Sequence, residues 1–163
     1  FESYLRDNAI AYIAVDEAKR ALTTVGRSDT SPPKSLKSFD FVVYSKRGPN
    51  LLVDVKGRKH TGKSRNALQN WVTEADVEGL SRWEQLFGEG FVGAFAFLYW
   101  CDNQPPDALF QEIFTSGDRW YAVLAVTLDQ YKQHMRPRSG KWNTVSIPAK
   151  PFNEMAVPLM ELL

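Results

Sequence analysis

At 163 residues and 18.5 kDa, the chain has the length of one domain with a real core. A net charge of +1, with 44% hydrophobic and 24% charged residues, excludes a histone-like polycation but allows a local basic patch. No apolar run reaches the roughly 18 residues of a membrane span, and one cysteine, Cys101, with only His60 and His134 beside it, leaves no internal disulfide and argues against structural zinc.

In chain order, Phe1, Tyr4 and Leu5 share one helical stripe, so residues 1–8 are expected to be helical. A short strand follows at Ile10–Val15, then a helix or turn at Asp16–Thr24. Arg27–Ser38 is polar, contains Pro32-Pro33 and reads as a loop. Phe39–Tyr44 and Leu51–Val55 are strands, and the six residues between them suit an antiparallel hairpin. His60–Asn70 reads as a basic loop. Thr73 and Asp76 have capping-box spacing for a helix whose apolar face is Val77, Leu80, Trp83 and Phe87, and Gly88 ends it. Phe91–Trp100 is apolar throughout, as a strand covered on both faces must be.

Beyond Pro105-Pro106, Phe110–Thr115 and Arg119–Val126 form a second expected hairpin around Ser116-Gly117-Asp118. Thr127 caps a short helix, Leu128–Met135, and Trp142–Ile147 reads as a last strand before a tail of coil and short helix. The expected fold is α/β: a mixed sheet flanked by helices, with a hairpin-and-helix extension after the core. The domain expectation is one unit, residues 1–163, with its core in about residues 1–100 and the extension in 105–163. The single cysteine fits a reducing compartment and no signal peptide is visible, so a cytoplasmic setting is expected.

The chemistry centres on an acid at the start of one strand and acid-x-Lys on the next. Strand alternation puts Asp54 and Lys56 on one face and Val53 and Val55 on the other. Asp40 joins Asp54 and Lys56 only if paired residue numbers sum to an even value. Two carboxylates about 4 Å apart repel by roughly 4 kcal/mol at an effective dielectric of 20. A divalent cation removes that cost, and Mg²⁺ accepts one or two carboxylates plus waters and substrate phosphate. A structural salt bridge, Asp54 with Lys56 or Asp40 with a neighbouring base, is the alternative.

Asp40, Asp54-Val55-Lys56 and the helix–hairpin order resemble the PD-(D/E)XK nuclease superfamily, in particular archaeal-type Holliday-junction resolvases and restriction-endonuclease-like domains. The resemblance covers about residues 1–100. It implies a restriction-endonuclease-like core, Mg²⁺ (or Mn²⁺) as cofactor and DNA as substrate. Asp40 and Asp54 would be metal ligands with the Val55 carbonyl, Lys56 the charge stabiliser, and Glu2 the helix glutamate that assists. Phe39 departs from the family's usual Pro. Phe1-Glu2 also resembles the end of the H-Y-E-x-A-F-E signature of an uncharacterised bacterial family.

Two segments are basic and free of acids: Lys56–Arg65 and Lys132–Lys141. Arg58, Lys59, Lys63, Arg65, Arg136, Arg138 and Lys141 are therefore candidate nucleic-acid contacts, or else a solvated face. Trp142, in that basic setting, suits single strands or DNA ends, or is simply buried. Gln69 could lie beside the metal or phosphate, His60 could transfer a proton, and Glu17 follows the first strand; each is also an ordinary surface or core residue. Three functions remain open: a metal-dependent DNA endonuclease or resolvase, which would favour a two-fold homodimer; an inactive nuclease-fold binding module; and a protein-interaction domain using its aromatic C-terminal half.

Overall fold

The computed structural model describes residues 1–15, 37–106 and 109–163. Glu17, the segment Asp16–Thr24 and most of the expected loop Arg27–Ser38 lie outside the described residues. The elements are α1 (Glu2–Asp7), β1 (Tyr12–Ala14), β2 (Phe41–Val43), β3 (Asn50–Lys59), β4 (Val72–Thr73), α2 (Glu74–Phe87), β5 (Phe91–Cys101), β6 (Phe114–Ser116), β7 (Arg119–Thr127), α3 (Leu128–His134), β8 (Arg136–Ser139), β9 (Thr144–Ser146), α4 (Ala149–Met155) and β10 (Val157–Pro158).

Seven strands form one mixed sheet in the order β1-β2-β3-β5-β7-β10, with β6 also pairing with β7. β2 and β3 are antiparallel, as the hairpin spacing requires, whereas β3 and β5 run parallel over ten paired residues. A parallel pair needs a crossover, and β4 with α2 supplies it. Alternation along β5 divides the core. Phe95, Phe97 and Tyr99 face α2, α3 and α4, while Ala96 faces α1, where Tyr4, Leu5, Val43, Leu51 and Val53 pack.

α2 begins as the sequence indicates. Thr73 Oγ1 accepts the Asp76 N–H at 3.1 Å, and the Asp76 carboxylate accepts the Thr73 N–H at 2.7 Å, closing the capping box. Gly79 then lets α2 approach the segment before β2: a Cβ there would stand 2.8 Å from the Lys37 carbonyl oxygen, which also accepts the Trp83 indole N–H at 3.0 Å.

Several expectations require correction. β3 extends to Lys59, so Arg58 and Lys59 are strand residues and the basic loop is shorter. β6 starts only at Phe114, because Leu109 and Phe110 are drawn into the core. β4, β8 and β9 form a second, three-stranded sheet in the order β4-β9-β8. β8 was missed because Pro137 interrupts it; the strand tolerates Pro because it lies at the edge. The last strand starts at Thr144, not Trp142, and Trp142 is 68% exposed rather than buried. No helix among the described residues is long and apolar enough to cross a membrane.

Candidate metal centre and nucleic-acid interface

Phe41 pairs with Val53, so paired numbers on β2 and β3 have an even sum, and the ladder ends there, with Asp40 next to it on the chain. Asp40 lies one residue before β2. Its N–H donates to the Val53 carbonyl at 2.9 Å, and its Oδ2 accepts the Val55 N–H at 2.7 Å, so a side chain replaces the backbone acceptor at this point of the ladder. Asp54 and Lys56 follow on the α2 side of β3. Lys56 Nζ stands 2.8 Å from Asp54 Oδ1.

α2 brings a third acid that the sequence did not reveal as part of this cluster. Asp76 Oδ1 lies 3.0 Å from Lys56 Nζ and 2.5 Å from Lys37 Nζ. The capping residue is thus also the counter-ion of Lys56. Its only sequence signal is the choice of Asp where Glu is the better capping-box partner.

The electrostatics follow from burial. Asp54 is 5% exposed. Burial pushes its carboxyl up to about 6 against the pull of Lys56, and the neighbouring Asp76 and Asp40 carboxylates add to the rise. Burial acts the same way on Asp76, but bonds from Lys37 and Thr73 and the Lys56 charge overcome it and hold that carboxyl at about 2. Burial would lower the Lys56 ammonium, yet the two carboxylates outweigh it and keep its pKa raised.

A hard cation bound here would have only the Asp40 and Asp54 carboxylates as acidic protein ligands. The bonds described for the two carboxylates use one oxygen of each, Asp40 Oδ2 and Asp54 Oδ1. Among the described residues no group of three or more His, Cys, Asp or Glu side chains is placed to hold a metal ion. Mg²⁺ bound by one or two carboxylates, waters and a substrate phosphate needs no third acid.

Glu2 is not brought to this cluster. It sits in the exposed first turn of α1, on the opposite side of the sheet, where its carboxylate accepts the Tyr12 hydroxyl at 2.9 Å and pairs with Arg6 at 3.3 Å. His60 lies on the Asp54 face but four residues beyond Lys56, about 13 Å along a strand, too far for proton transfer there. It is buried against Tyr99 and Phe110, and burial lowers its pKa. With Lys63 it lines a cleft of about 290 Å³ that Asp40, Asp54 and Lys56 do not reach.

The basic residues divide into distinct groups. Lys59 faces away from Asp54, pairs with Asp102 at 2.7 Å and lies 4.8 Å from the Trp100 ring centre. Arg65 donates to the Leu109 carbonyl at 3.2 Å. Arg58 shares the Lys56 face, but its guanidinium donates to the Gly57 and Trp71 carbonyls and stacks 4.0 Å from the Trp71 ring centre. Trp71, not singled out from sequence, has the Arg138 guanidinium at 5.4 Å as well. Gln69 is exposed, and its side-chain oxygen accepts the Trp71 indole N–H at 3.4 Å. Arg136, Arg138 and Lys141 are exposed on β8 and the turn after it.

Among solved structures, the chain is similar to Hjc, a Holliday junction resolvase from the archaeal hyperthermophile Archaeoglobus fulgidus. The TM-score is 0.52 at 16% identity, over 98% of this chain and 91% of that one. At that identity the likeness establishes the fold, a mixed sheet flanked by helices of the restriction-endonuclease-like kind. No family model matches the chain, so the resemblance of Phe1-Glu2 to the H-Y-E-x-A-F-E family finds no support. No curated protein matches it by sequence.

Proposed function

We propose that the chain is a Mg²⁺- or Mn²⁺-dependent DNA endonuclease of the PD-(D/E)XK type, with its site at Asp40, Asp54 and Lys56. The observation that carries the reading is that Asp40 is bonded to the backbone between Asp54 and Lys56, through the Val55 N–H, while Lys56 is ion-paired with Asp54. The fold shared with a Holliday junction resolvase supports it. Asp40, Asp54 and the Val55 carbonyl would hold the metal, which when bound supplies an activated water and a Lewis acid for the phosphodiester. Lys56 binds the scissile phosphate oxygen and neutralises charge developing there. Asp76 keeps Lys56 charged and aimed. Lys37, the other base on Asp76, lets that carboxylate serve Lys56 without drawing it fully from Asp54.

Calorimetric titration of Mn²⁺ and Mg²⁺ into wild type and Asp54→Ala, with cleavage of branched, linear and single-stranded DNA in parallel, tests this. Binding and cleavage that both vanish in the variant support the enzyme. A folded wild type that takes up neither metal refutes it and leaves a second reading, a nuclease fold retained for binding alone. That reading draws on the ion-paired state of Lys56, held between Asp54 and Asp76.

A further inference from the structure

The second sheet carries a feature that the proposed cleavage chemistry does not use. β8 and β9 are joined by a turn over 140–143, closed by the Asn143 N–H to the Gly140 carbonyl at 3.4 Å. Lys141 and Trp142 are its central residues and project from the tip. Trp142 is 68% exposed, the most exposed of the large hydrophobic side chains among the described residues, and Lys141 Nζ lies 5.4 Å from its ring centre. The tip is not a loose end. Asn143 adopts the left-handed conformation at φ 45°, a conformation Asn tolerates better than most residues. Its carbonyl accepts the Glu74 N–H at 2.9 Å, which fixes the turn to the first turn of α2. The same first turn presents Asp76 to Lys56, so the turn and the candidate metal centre are held by one helix end.

The hairpin is also shaped along its length. Pro137 pairs with Val145 and Ser139 with Thr144, which leaves Arg138 as the extra residue of a β-bulge. Bulges turn a side chain out of the regular alternation, and this one brings the Arg138 guanidinium to 5.4 Å from Trp71, whose ring also stacks on Arg58. A cleft of about 230 Å³ opens beside Trp71, Arg138 and Gln69. Arg58 and Arg138 thus both lie against the Trp71 indole, and Lys141 with Trp142 makes a second cation–indole pair at the tip of the hairpin.

We propose that the β8–β9 hairpin is a docking element for an unpaired segment of single-stranded DNA, with Trp142 as the stacking platform for a base and Arg136, Arg138 and Lys141 as its phosphate contacts. A solvated indole held at a rigid turn offers a flat face to any base. The segment 132–141 carries four Lys or Arg and no acid, as a backbone-tracking groove requires. The inference rests on the DNA reading of the neighbouring site and narrows its substrate class to duplexes that carry unpaired bases, such as forks and branches.

Affinity is measured by fluorescence anisotropy in EDTA, where no metal-dependent cleavage can occur, for three labelled DNAs: a single strand, a blunt duplex and a fork with unpaired arms. Trp142→Ala is expected to weaken fork and single-strand binding about tenfold, the loss of one base stack, and to change blunt-duplex binding less than twofold. Trp142→Phe is expected to restore most of the loss. Equal affinities of wild type and Trp142→Ala for all three DNAs, or an equal loss on all three, overturn the proposal. Because Trp142 is exposed, its variants keep the fold, which circular dichroism verifies. A wild type that binds forks through Trp142 but cleaves nothing in Mn²⁺ upholds the docking element and refutes the nuclease reading, so the two fail separately.

Discussion

Asp76 closes the N-terminus of α2 and at the same time holds Lys56 Nζ at 3.0 Å, so the start of one helix and the working end of one strand depend on a single carboxylate. Removing it breaks three things: the reciprocal cap, the Lys37 pair and one of two partners of a mostly buried ammonium. Asp76→Ala is expected to cost about 3 kcal/mol, well above the roughly 1 kcal/mol of losing a cap alone. Urea unfolding of Asp76→Ala beside Thr73→Ala checks this, since Thr73→Ala removes the cap and keeps both ion pairs.

The same carboxylate gives an acid limb to stability. Its folded pKa of about 2 lies below the ordinary value of 3.8, so its contribution is complete above about pH 4 and disappears as pH falls through about 2. The expected loss, on the order of 2 kcal/mol, should be absent in Asp76→Asn when both proteins are unfolded between pH 4 and pH 2.

Asp54 has the opposite sign. Its carboxyl is raised to about 6, so the folded chain takes up a proton that the unfolded chain does not between about pH 6 and pH 4. Metal-free wild type should therefore gain stability as pH falls across that window, and Asp54→Asn should be the more stable protein at pH 7, by on the order of 2 kcal/mol. Divalent metal should stabilise wild type above pH 6 and leave Asp54→Asn unmoved. Thermal melts at pH 5 and pH 7.5, with and without Mg²⁺, test all three statements.

The candidate site was legible only where strand geometry alone decides it. Alternation puts Asp54 and Lys56 together, and the β2–β3 pairs have the even parity that Asp40 needs to join them. Asp76 was legible as a cap but not as a counter-ion, because its second role depends on how α2 seats over β3, a tertiary fact. In the fold, β2, β3, β5 and α2 carry long apolar patterns or a capping box and could be read directly. β4, β8 and β10 could not: none sits in an apolar run such as the one around β2, Pro137 and Pro158 stand inside two of them, and only their partners make them strands. Trp142 was misread because an aromatic before a strand pattern resembles the strand's first residue, whereas the turn from Gly140 puts it at the tip.

Gly79 offers a test of how α2 is seated. In an open helix position Gly→Ala gains about 1 kcal/mol. Here the new methyl would stand 2.8 Å from the Lys37 carbonyl oxygen, a backbone atom already bonded to Trp83. Gly79→Ala is expected to destabilise by about 1–2 kcal/mol net, and by less in a Trp83→Phe background, where the indole bond holding Lys37 in place is gone. A double-mutant cycle by urea unfolding measures the coupling.

Lys56 separates metal binding from chemistry. Its ammonium lies 2.8 Å from an Asp54 oxygen, where it competes electrostatically with any cation held by the same carboxylate. Lys56→Ala removes that competitor and leaves Asp40, Asp54 and Asp76 with a surplus of negative charge, so Mn²⁺ affinity should rise several-fold by calorimetry. The metal-free variant should be less stable than wild type, because Asp54 and Asp76 lose a shared partner, and bound Mn²⁺ should recover more stability than it does in wild type. Cleavage should fall by a factor of about 100 or more, the usual loss on removing one group that stabilises transition-state charge. Asp54→Ala, by contrast, is expected to lose metal binding and cleavage together. A Lys56→Ala protein that binds Mn²⁺ more weakly than wild type would show that the lysine organises the carboxylates rather than acting on the phosphate, and its catalytic role would have to be abandoned.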